Sequence, residues 1–218
     1  MTEGGRKLAQ IRNKLATAVK PGITTAELDK LADKLISQAG SQASFKMVPG
    51  YHWATNINVN DVVVHGIPGQ RKLKSGDVVG IDVGIWWKGF HTDTSTTVAV
   101  GSPTPSIQKF LDTGKEALNK AILLARPGRR IQDLSISMQR TVETAGYSAV
   151  RALTGHGIGR HLHEEPAIPC FVVGAYATSP KLVPGMVLAI EIMYNQGTSD
   201  VVYQNADGWT IATADGKI

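Results

Sequence analysis

The stretches LKSGDVVGIDVGI (residues 73–85) and LVPGMVLAIEIMY (residues 182–194) follow one pattern. Each opens on a turn glycine (Gly76, Gly185), runs through Val, Ile and Leu, and sets a carboxylate at the same step (Asp82, Glu191). A run rich in β-branched residues reads as a strand. A carboxylate in such a strand is costly to bury unless it is paired or bound to a cation.

A second pair of segments repeats in the same order. KPGITTAELDKLADKLISQAG (residues 20–40) and RPGRRIQDLSISMQRTVETAG (residues 126–146) are each 21 residues long. Both place leucine ninth (Leu28, Leu134) and close on Ala-Gly. Each predicts a Pro-Gly turn, an amphipathic helix and a glycine stop. Two halves with the same order of elements imply a pseudo-twofold duplication, with a site at their junction receiving carboxylates from both sides.

Residues 78–87 and 91–100 predict two strands joined by a tight turn at Trp87-Lys88-Gly89-Phe90. This sets Asp82 and Asp93 on adjacent antiparallel strands, facing the same way. Ile81 and Val83 face the other side, whereas Gly80 and Gly84 share the Asp82 face and would leave room for an ion and its waters. A helix is expected from near Ser106 to Ala125, with Leu111, Leu118 and Ile122 as its apolar face. No linker or low-complexity segment interrupts the 218 residues, which predict a single α+β domain with helices on a curved, mainly antiparallel sheet.

The composition excludes several classes. No apolar run approaches the ~20 residues of a membrane helix, and the amphipathic start lacks the apolar stretch of a secretion signal. The lone Cys170 rules out an internal disulfide framework and fits a reducing cytoplasm. Its surroundings suit a buried apolar thiol rather than a nucleophile. The net charge of +5 is concentrated in Arg6, Lys7, Arg12, Lys14 and Lys20, and in Arg126, Arg129 and Arg130. Such clusters read as solvated helix faces, with weak attraction to RNA, such as a ribosomal surface, as the alternative. No nucleic-acid-binding signature supports more than that.

Asp82 and Asp93, joined across the hairpin, suit a divalent cation. His156 lies in Gly-His-Gly-Ile-Gly, where the glycines would allow the backbone to approach an ion. His163-Glu164-Glu165-Pro166 fails as a zinc-protease helix because Pro166 would break it. His161 and His163 form an HxH pair that could bind metal on a strand. His65, in His-Gly-Ile-Pro, is the matching histidine of the first half, a neutral donor or proton carrier near pH 7.

Together HGIP (65–68), GIDVG (80–84), HTDTS (91–95), GHGIGRHLHEEP (155–166), IEI (190–192) and DGWT (207–210) resemble the type I methionine aminopeptidases. The resemblance runs in order over nearly the whole chain and implies the pita-bread fold, a duplicated α/β sandwich. It implies two divalent ions (Co, Mn, Fe or Zn) held by Asp82, Asp93, His156 and Glu191, with a hydroxide between them attacking the peptide carbonyl. By the same resemblance Glu191 shuttles the proton, His163 stabilises the carbonyl oxygen and His65 contacts the scissile nitrogen. Tyr51, Leu162 and Trp209 would line the methionine pocket, and Asn56 stands where many relatives carry cysteine.

The resemblance further implies a monomer in the cytoplasm that acts on the N-termini of nascent polypeptides with a small second residue, without DNA or membrane. It also implies a fifth ligand, a bridging glutamate, on a strand after DGWT. On that expectation the domain, residues 1–218, is short at both ends, lacks the last family strand and holds its second metal less tightly. Asp200, Asp207 and Asp215 lie in turn-like sequence and are not expected to substitute. The competing readings are a non-catalytic pita-bread binding protein or inactive fragment, and an Xaa-Pro aminopeptidase.

Overall fold

The computed structural model describes residues 1–204 and 207–218. The first half comprises α1 (Thr2–Ala18), α2 (Thr25–Gln38), β1 (Gln42–Ala43), β2 (Thr55–Val59), β3 (Val62–Val64), β4 (Val78–Trp87) and β5 (Phe90–Ala99). The second runs α3 (Pro105–Leu124), α4 (Ile131–Thr144), β6 (Ser148–Ala149), β7 (Thr154–Gly157), β8 (Glu164–Pro169), β9 (Leu188–Ala189), β10 (Tyr194–Asn195), β11 (Val201–Tyr203) and β12 (Ile211–Thr213).

The repeat predicted from sequence is present in the backbone. α2 and α4 are both 14 residues long, and their leucines Leu28 and Leu134 are fully buried. Gly22 and Gly128 sit at φ 90° and 89°, and Gly76 and Gly185 both at 94°, a region that only glycine enters without strain. The turns also make equivalent contacts. The Leu73 amide donates to the Ile23 carbonyl, and the Leu182 amide donates to the Arg129 carbonyl, each at 2.8 Å. Thr24 caps α2 reciprocally with Glu27, and the Asp133 carboxylate accepts from the Arg130 amide at the start of α4.

Two cores follow from this duplication. In the first half Leu8, Ile11 and Leu15 of α1 and Leu28, Ala32 and Ile36 of α2 pack on Val79, Ile81, Val83 and Ile85 of β4. In the second, Ile131, Leu134, Met138 and Val142 of α4 pack with Ala117 and Ala121 of α3 on Val150, Ile168 and Met193. The alternation along β4 points its apolar residues at the helices and turns Asp82 to the opposite face, toward the second half.

One expectation needs correction, the apolar face of α3. The sheet is antiparallel as expected and, among the described residues, comprises four pieces, in one of which β1, β2 and β5 all join β4. β7 carries β8 and β9, β6 pairs β10, and β12 lies between β11 and β3. Prolines at 166 and 169 and the irregular pairing between Gly155 and Gly157 interrupt the ladders in the second half. On α3 the buried face is Phe110, Leu111, Gly114, Ala117 and Ala121, with Ile122 half exposed at 51%. The small residues admit close approach; the Gly114 backbone lies against the Tyr194 ring.

Candidate metal centre and substrate cleft

The β4–β5 hairpin turns at Lys88 and Gly89, whose φ angles of 49° and 85° match the turn type that continues strand twist. The register sets Asp82 opposite Ser95 and Asp93 opposite Gly84, so the two aspartates lie one diagonal step apart on one face. The two carboxyl groups are close enough for the Asp82 charge to raise the Asp93 pKa.

From the second half, β7 and β9 bring His156 opposite Ala189, two residues before Glu191. His156 Nε2 stands 3.4 Å from Glu191 Oε1 and 4.0 Å from Asp93 Oδ2. Its Nδ1 lies 2.8 Å from the Gly157 carbonyl, which can only accept, so Nδ1 carries the proton and Nε2 keeps a lone pair aimed at the carboxylates. Burial lowers the His156 pKa and holds the ring neutral, the form that binds metals.

Glycine serves another purpose here than the one expected from sequence. A side chain at Gly155 would run into the Ala189 carbonyl, and one at Gly157 into the Glu165 carbonyl. These glycines therefore let β7 pack against its neighbouring strands; they make no space for an ion. At Gly84 the vacant space is taken by Ser44 and Phe45, each 2.9 Å from where a Cβ would lie, and at Gly80 by Asn58.

The carboxylates pay an electrostatic cost. Burial pushes Asp82 up, and burial together with Asp82 and Glu191 pushes Asp93 well up. Glu191 rises to about 8, from burial first and then from Asp82. Among the described residues no three such side chains already enclose a common point. Two further observations nevertheless fit divalent ions. Asp93 Oδ1 is buried with no hydrogen-bond partner among the described residues, and two ligands each ~2.1 Å from one ion stand about 3–4 Å apart, as His156 does from Glu191 and Asp93. Carboxylates with one imidazole form a donor set suited to Mn, Fe, Co or Zn.

The site floors a cleft of about 620 Å³ whose walls include His65, His163, Leu162, Tyr51, Trp209 and Phe45. The His163 ring packs edge-on against His156 at 4.4 Å. Burial lowers its pKa, helped by His156, His65 and His91, while burial alone lowers that of His65. His65 holds φ 55°, an uncommon angle for a side-chain-bearing residue and one often found at functional sites. Tyr51 and Leu162 share an apolar cluster with Phe45 and Ile158, against which Trp209 and Trp53 pack. The Tyr51 ring meets Trp209 edge-on at 5.1 Å.

The remaining sequence expectations divide. His161 does not line the cleft with His163; its amide donates to the Glu164 carboxylate instead. Cys170 is fully buried, its thiol pushed up to about 11 mainly by burial. Asp207 accepts the Trp209 and Thr210 amides at 2.8 Å, and Asp215 accepts the Thr198 amide, so both shape turns. Sequence reasoning missed Phe45, which no motif marks. It also missed the hydrogen bond from Asn56 to Asp82, which depends on strand register.

The model of metallopeptidase family M24 matches residues 1–213, and the chain belongs to that family of metal-dependent peptidases. Within it, the chain is 43% identical over 217 residues to methionine aminopeptidase 1 of Bacillus subtilis, covering 100% of this chain and 86% of that protein. The crystal structure of the Thermotoga maritima methionine aminopeptidase superposes with a TM-score of 0.95 at 37% identity, over 100% of this chain and 86% of that one. The fold is thus the pita-bread fold. An X-Pro aminopeptidase of Thermotoga maritima shares the fold alone, at 18% identity and a TM-score of 0.66, with 92% of this chain and 56% of that one covered.

Proposed function

We propose that this chain is a methionine aminopeptidase that removes the first methionine from peptides with a small second residue. The observation that carries the reading is the meeting of Asp82, Asp93, His156 and Glu191 at the floor of a cleft walled by Tyr51, Leu162, Trp209 and Phe45. Those four polar side chains would hold two divalent ions, with Co, Mn, Fe and Zn all compatible with the donors. Divalent ions there would acidify a water, polarise the scissile carbonyl and anchor a free α-amine.

The chain's own groups supply the rest. Glu191, ionised beside cations, takes the proton of the attacking water on a carboxylate oxygen and returns it to the leaving nitrogen. His163, neutral because burial and neighbouring histidines disfavour its charged form, donates its ring N–H to the carbonyl oxygen as charge develops there. His65, also neutral, hydrogen-bonds the scissile amide. The aromatic and leucine walls suit an unbranched thioether, which fills irregular apolar space well. Preference for a small second residue, Ala, Ser or Gly, is part of the same reading.

No described helix is long and apolar enough to cross a membrane. The reading places the protein in the cytoplasm, acting on nascent N-termini. The test is direct. Purified protein supplied with Co²⁺, Mn²⁺ or Fe²⁺ should cleave Met-Ala-Ser and leave Met-Lys peptides intact. Full metal loading with no cleavage of any Met-small-residue peptide would favour a binding protein instead.

A further inference from the structure

We propose that Asn56 is a positioning residue that fixes the Asp82 carboxylate for metal binding and ties it to the Tyr51 wall of the apolar pocket. The proposal rests on reading the cleft as a metallopeptidase site. Asn56 lies on β2 directly opposite Asp82 on β4, so their side chains leave the sheet on the same face. The Asn56 side chain is 5% exposed. Its Nδ2 donates to Asp82 Oδ2 at 2.8 Å, while its Oδ1 accepts the Tyr51 hydroxyl.

These two bonds fix which way the amide points. Turned over, it would set a carbonyl oxygen against Asp82 Oδ2, two acceptors with no proton between them. The Tyr51 hydroxyl lies 2.9 Å from the Thr55 carbonyl as well, and Tyr51 is clamped by the rings of Trp209 and Trp53 at 5.1 and 5.4 Å. On the other side, Asp29 Oδ1 accepts the Ala54 amide, the Thr55 amide and the Thr55 hydroxyl, anchoring the backbone that carries Asn56. A continuous chain of held groups therefore runs from the pocket wall, through one amide, to a carboxylate of the metal centre.

Two consequences follow for the carboxylate. One oxygen of Asp82, Oδ2, is committed to Asn56, which restricts the turning of a carboxylate that lines the cleft. An occupant of the apolar pocket that touches Tyr51 therefore contacts a residue joined to Asp82 through one amide. Hydrogen-bond partners of metal ligands commonly change metal affinity about 10- to 100-fold when removed.

The test compares wild type with Asn56→Leu, which keeps the size and removes both polar atoms, and with Asn56→Ser, which leaves the strand unstrained. Co²⁺ affinity is read by calorimetric titration, ligand geometry by the visible Co²⁺ spectrum, and the metal-free fold by circular dichroism. Both variants should keep the metal-free spectrum of the fold, bind Co²⁺ about 10- to 100-fold more weakly and show altered Co²⁺ bands. Tyr51→Phe, which frees the amide without removing it, should change the bands in the same sense by a smaller amount. Co²⁺ affinity and bands equal to wild type in whichever variant folds would overturn the role of Asn56. Failure of wild type itself to bind Co²⁺ would instead overturn the metallopeptidase reading.

Discussion

Glu191 and Asp93 set the behaviour of the site at the scale of single residues. Both are held above their ordinary pKa in the metal-free fold, Glu191 moving from 4.5 to about 8. Between those values the folded chain keeps a proton that the unfolded chain has released, so metal-free stability must fall as pH rises through that window. Chelator-treated protein should accordingly melt at a lower temperature at pH 8 than at pH 5, and Glu191→Gln should flatten the slope. A wild-type slope already flat would contradict the buried-carboxylate account. His163 gives a kinetic counterpart. As a donor to the developing oxyanion it should cost about 10²- to 10³-fold in kcat when replaced by alanine, with Co²⁺ affinity little changed. His156→Ala, which removes a proposed ligand, should instead abolish turnover and weaken metal binding together; undiminished activity would sink the metal assignment.

Elements repeat these themes. α2 and α4 each rest a fully buried leucine on their half's core, Leu28 and Leu134. Either leucine replaced by alanine should lose ~2–5 kcal/mol of stability in denaturant titration, since each substitution opens a cavity in a packed interior. β7 works by a different constraint. Gly157→Ala would drive a methyl into the Glu165 carbonyl, displacing the strand that carries His156. That variant should lose Co²⁺ affinity without touching any ligand, and unchanged affinity would mean that β8 yields easily. The sequence pattern marked both helices, their stops and the β4–β5 hairpin, because each depends on periodicity or turn chemistry within a few residues. It misassigned the glycines of β4 and β7, because what fills the space beside a glycine comes from distant chain: Ser44 and Phe45 in one case, the Ala189 and Glu165 backbones in the other.

For the whole molecule, the two halves each build a core and meet at the carboxylate-lined cleft. Metal held by Asp82 and Asp93 from one half and by His156 and Glu191 from the other would fasten them together. Loading with Mn²⁺ or Co²⁺ at 100 times its dissociation constant should add about 2.7 kcal/mol to stability and raise a single melting transition. Two separate transitions, with only one shifting, would show that the site draws its ligands from one half.

The order of elements, the duplication and the faces of β4 were legible in residues 73–85, 182–194 and the paired helix segments, because amphipathic period and turn glycines are local properties. Motif resemblance extended that reading to the four polar residues of the site. Their meeting point was not local. Asp93 and His156 are brought to 4.0 Å by the packing of two halves, and Asn56 reaches Asp82 only through the register of β2 on β4. Among the described residues, the division of the sheet into four pieces and the exposure of Ile122 were likewise settled by packing. Such contacts depend on which surfaces compete for burial once the whole chain is assembled, and no window of neighbouring residues contains that competition.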